Sequence, residues 1–108
     1  MRIFTDERVE AALEYRDGDR QRDAHWAMLR AERELEEVRA EVYLGQNDDA
    51  TVAEKNARTT VHPRVKEAGR ALDEATAYHT EVKVKTERAK DIAKLYQTES
   101  ADLRTGTL

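Results

Sequence analysis

Residues 63–96 read PRVKEAGRALDEATAYHTEVKVKTERAKDIAKLY, and the spacing of their apolar positions decides the fold. Val65, Ala68, Leu72, Ala75, His79, Val82, Thr86, Ala89, Ala93 and Tyr96 recur at alternating intervals of three and four, unbroken over ten positions. That period puts all ten on one stripe of an α-helix, the seam of a coiled coil, whereas a strand would scatter them over two faces. Proline suits the first turn of a helix, where its missing N–H costs nothing, so His62-Pro63 opens this helix, predicted over residues 63–100.

The same grammar runs through the first half of the chain. Val9 and Leu13 are followed, after a polar interval, by Ala24, Met28, Ala31, Leu35, Val38 and Val42 at spacings of 4, 3, 4, 3 and 4. Thr5 reads as an N-cap, with Asp6 and Glu7 suited to the positive end of a helix dipole. A long helix over about 6–44 is predicted. Asp17-Gly18-Asp19 weakens it, since glycine inside a helix costs about 1 kcal/mol relative to alanine. The close pairs Asp17 with Arg20 and Asp19 with Arg22, each worth about 0.2 to 0.5 kcal/mol, favour continuity through a kink near Gly18.

Between the two long helices, Tyr43-Leu44-Gly45-Gln46-Asn47-Asp48-Asp49 reads as a stop, with Gly45 taking a left-handed conformation. Thr51-Val52-Ala53-Glu54 matches a capping box and opens a short helix over about 52–59. The fold class is therefore all-α: a long antiparallel helical hairpin, coiled-coil-like, in one domain over residues 1–108 with a loose tail at 104–108. Helices of roughly 38 residues would make arms of about 55 to 60 Å.

Composition limits the core. Charged residues are 39% of the 108, and only 26 residues are large and apolar, with 16 alanines besides. So little bulky hydrocarbon offsets ordering entropy poorly in one hairpin, which points to completion by dimerisation into a four-helix arrangement, or to residues 5 to 17 folding back at Gly18. Residues 1 to 50 carry net −6 and residues 51 to 108 net +2, so an acidic arm laid beside a mildly basic one is electrostatically compatible. The chain has no cysteine, which removes disulfides, thiolate metal sites and cysteine nucleophiles and fits a reducing cytoplasm. No uncharged run exceeds six residues, so no membrane partner is expected.

Catalysis finds no footing. His25, His62 and His79 fall in separate segments, and the residues three before them are Arg22, Thr59 and Thr76, so no Glu-x-x-His metal motif exists. The glycines Gly18, Gly45, Gly69 and Gly106 stand apart, so no phosphate loop forms. No catalytic residue, cofactor, metal or small-molecule substrate is expected. Lys83, Lys85, Arg88, Lys90 and Lys94, with Glu87 and Asp91 interleaved, carry net +3 over residues 82 to 94. They are either a solvated face or a nucleic-acid contact. Tyr78 and Tyr96, on or near the seam, are expected in the core. Trp26, beside Ala27 and next to Met28 and Leu29, widens the apolar face there. It closes a subunit interface, caps a folded-back N-terminus or binds a partner.

An Ala-, Glu- and Arg-rich first helix, the turn Gly45-Gln46-Asn47 followed by Ala53-Glu54-Lys55-Asn56-Ala57-Arg58, and a second amphipathic helix containing Val82 to Ile92 make up a recognisable layout. Over residues 24 to 96 this layout resembles small helical proteins encoded by tailed bacteriophages and prophages. The long acidic N-terminal arm and the tail Thr98 to Leu108 depart from it. The resemblance carries over no functional residue. It implies an accessory factor of phage DNA metabolism or host takeover, in the cytoplasm of a bacterial host. From the residues themselves, the expected function is a non-enzymatic protein–protein interaction module, a homo-oligomer with a dimer favoured. An accessory role in nucleic-acid transactions through the basic face is the alternative.

Overall fold

The computed structural model describes residues 6–105, with side chains at 7, 9, 10 and 13–99. Thr5, read as an N-cap, and residues 106–108 of the expected tail lie outside the described residues. Four helices follow one another: α1 (Asp6–Leu13), α2 (Asp19–Leu44), α3 (Val52–Val61) and α4 (Pro63–Thr105). No strand occurs among the described residues. The all-α helical hairpin is what the structure shows, with α4 reaching five residues past its predicted end. By contact the chain forms two compact units, Met1–Ala24 with His79–Leu108, and His25–Tyr78.

In the first unit the seam is covered. Val82 is 1% exposed and Thr86 0%, and Val9, Ala24, Ala89 and Ala93 are buried with them. The alanines allow close helix approach, and each methyl contributes at only ~25 cal/mol per Å² removed from water. Continuity through Gly18 is corrected here: residues 14–18 leave the helix, and Gly18 sits at φ 78, the left-handed region. The cause is local competition for the backbone. The Asp17 carboxylate accepts from the Asp19 N–H at 3.0 Å instead of pairing with Arg20, and so opens α2. Arg20 reaches across the break to Glu14 at 3.4 Å and lies 4.7 Å over the Tyr15 ring. Arg22 does pair with Asp19 at 3.3 Å. Leu13, at the end of α1, is 40% exposed where the seam reading expected contact.

In the second unit, Val42, Thr59 and Val65 are buried, all near the corner between the arms. Further along, Met28, Ala31, Leu35, Val38, Ala68, Leu72 and Ala75 are only half-buried. Glu41 of α2 pairs with Arg64 of α4 at 2.8 Å. Polar contacts hold the corner. Gly45 does not take a positive φ; its N–H donates to the Glu41 carbonyl at 2.9 Å, and a Cβ there would stand 3.2 Å from that oxygen. Close approach, not handedness, calls for glycine at this position.

Gln46 Nε2 donates to the Lys55 carbonyl at 2.9 Å and to Thr59 Oγ1 at 2.8 Å, tying the loop to α3. Thr51 caps α3 as read, its Oγ1 accepting from the Glu54 N–H, while the Glu54 carboxylate pairs with Arg58. His62 serves two helices: its N–H donates to the Thr59 carbonyl at the end of α3, and its Nδ1 accepts from the Arg64 N–H in the first turn of α4 at 3.1 Å.

Two substitutions test this packing. The Thr86 hydroxyl is buried and has no hydrogen-bond partner among the described residues. Thr86→Val, which keeps the shape and removes the unpaired group, is expected to raise the urea midpoint, by about 1 kcal/mol of stability; a lower midpoint would contradict an unpaired hydroxyl. His62→Ala is expected to cost about 1 kcal/mol in the same assay, and His62→Asn, which keeps a cap acceptor, much less.

Candidate interaction surfaces

His25 is exposed beside Trp26, His62 caps α4 and His79 is half-buried on the seam. No group of three or more His, Asp or Glu among the described residues could hold a metal ion.

Trp26, Met28 and Leu29 lie on α2 in the second unit. Met28 and Leu29 are half-buried and Trp26 is 55% exposed, its ring edge-on to His25 at 6.3 Å between centroids. Helical geometry explains the difference: Met28 is on the seam, whereas Trp26, two residues earlier, is about 160° round the helix from it. Tyr78 corrects the core expectation, for it is 53% exposed; standing one residue from His79, it is turned about 100° from the seam. Tyr96 is half-buried.

The seam reading did not include a groove of about 310 Å³ along one side of the α2–α4 pair. Ala31 and Val38 line it from α2, Ala68 and Ala71 from α4, with Glu34 and Glu67 on its walls. Ala31, Val38 and Ala68 were legible as seam positions. Ala71, Glu34 and Glu67 are off the seam, and their convergence depends on the register between two helices. A second cleft, of about 610 Å³, lies between the end of α2 and α3, walled by Arg39, Tyr43, Leu44, Asn56 and Thr60. Lys55 Nζ stands 5.7 Å from the Tyr43 ring centroid.

Lys83, Lys85, Arg88, Lys90 and Lys94 of α4 are all exposed, but they do not form one patch. Lys85 is engaged: its ammonium meets the Glu81 carboxylate at 2.8 Å and lies 5.6 Å over the Tyr15 ring. The hydrogen bond and charge of Glu81, with Tyr15 adding to them, raise its pKa above the usual lysine value. Lys83, Lys90 and Lys94, at intervals of seven and four, share one stripe, and Arg88 is about 140° from Lys83 around the helix. None of these four forms an ion pair among the described residues.

No helix among the described residues is long and apolar enough to cross a membrane. No family model, curated protein or solved structure matches the chain.

Proposed function

We propose that the chain is a non-enzymatic helical module for protein–protein interaction that works as a homo-oligomer, a dimer completing a four-helix arrangement. One observation carries this reading: in the second unit, seam residues from Met28 to Val38 and from Ala68 to Ala75 stay half-exposed. An apolar helix stripe left open to water favours a covering layer. Exposed Trp26 beside half-buried Met28 and Leu29 has the make-up of an association anchor, a large aromatic next to flexible apolar side chains. The likeness to small phage and prophage helical proteins supports an accessory role in the cytoplasm of a bacterial host.

Sedimentation equilibrium tests the reading. A mass above 12.4 kDa is expected at micromolar concentration, falling on dilution. Trp26→Ala is expected to weaken association at least about tenfold, since truncating a central aromatic anchor costs about 2 kcal/mol or more. A chain that stays monomeric at every concentration would contradict the homo-oligomer.

A second reading, an accessory to nucleic-acid transactions, is favoured by the Lys83, Lys90 and Lys94 stripe, whose charges no acidic side chain among the described residues neutralises. It expects a salt-sensitive gel shift with single-stranded or duplex DNA, lost when Lys83, Lys85 and Lys90 become Glu. No binding at low salt would remove it.

A further inference from the structure

The groove on the second unit has apolar walls and a charge. Glu34 and Glu67 are exposed on it and form no ion pair among the described residues, while Arg64 is already held by Glu41. Packing this groove against its own copy would bring four carboxylates together, a like-charge arrangement that interfaces avoid. The occupant it fits is a helix with apolar positions flanking a free cation.

The chain carries such a face. On the first unit, Val84, Arg88 and Leu95 follow one another on α4 at intervals of four and seven, which places them on one stripe. Val84 is 42% exposed, Leu95 54%, and Arg88 is exposed with no ion pair among the described residues. From Val84 to Leu95 is about 16 Å of helix, with the guanidinium about 6 Å along. The Lys83, Lys90 and Lys94 stripe has charge but no exposed large apolar side chain to set beside it. The small side chains at Ala31, Ala68 and Ala71 let a third helix approach closely.

We propose that a second copy of this chain lays the Val84, Arg88 and Leu95 stripe of its α4 into this groove, with Arg88 between Glu34 and Glu67. The contact joins two different surfaces, so each chain offers both a donor stripe and an acceptor groove. It rests on the homo-oligomer reading and adds the surfaces and the charge rule to it.

Sedimentation velocity of the full chain from nanomolar to about 100 µM tests the contact. Replacing Glu34 and Glu67 together by Arg, and separately Arg88→Glu, each shifts association toward monomer by at least tenfold. The triple variant, with all three charges reversed, recovers it. All these side chains are exposed, and far-UV circular dichroism checks that each variant keeps its helix. Association unchanged by either reversal, or not recovered in the triple variant, overturns this contact and leaves the homo-oligomer standing. A wild-type chain monomeric throughout overturns both.

Discussion

Ala24, Ala31, Ala68, Ala75, Ala89 and Ala93 set the terms on which these helices can pack. An alanine seam brings helix axes close and offers one methyl per turn, so stabilisation per residue is small and depends on every side of that methyl being covered. In the first unit the condition is met, with Ala24 and Ala89 each 2% exposed around Val82 and Thr86. In the second it is met near the corner and not along the arms, where Ala31, Ala68 and Ala75 remain half-exposed. The seam is therefore closed in the first unit and partly open along the arms of the second.

Where hydrocarbon is short, polar contacts supply order. The corner is held by Gln46 bonded to both Lys55 and Thr59, by Thr51 capping α3, and by His62 linking the end of α3 to the start of α4. These groups fix the register in which α4 returns beside α2. That register in turn sets Ala71 and Glu67 opposite Ala31 and Glu34. A local hydrogen-bond cluster thus decides which side chains line the groove.

The arms were legible in the sequence because helical period survives without tertiary information: every α4 position from Val65 to Tyr96 on the predicted seam is buried or half-buried. Two glycines depart from what propensity alone favours: Gly18, where weak ion pairs favour a kinked continuous helix over a fold-back, has the positive φ, and Gly45, suited to the left-handed conformation, answers a 3.2 Å approach to a carbonyl instead. At Gly18 the competing effects are each about 1 kcal/mol or less, so propensity could not rank them, and the Asp17 side chain bonding to the Asp19 N–H tipped the balance. The groove was hidden for another reason. Glu34, Glu67 and Ala71 belong to no single-helix stripe, and only the pairing of α2 with α4 makes them neighbours.

Hydrogen exchange followed by mass spectrometry at two protein concentrations bears most directly on an alanine seam that is closed in one unit and open in the other. Residues 82–93 should be protected even at high dilution, while residues 28–38 and 68–75 should exchange faster there and slow as concentration rises. Equal protection of all three segments at high dilution, unchanged on concentrating the protein, would contradict the account.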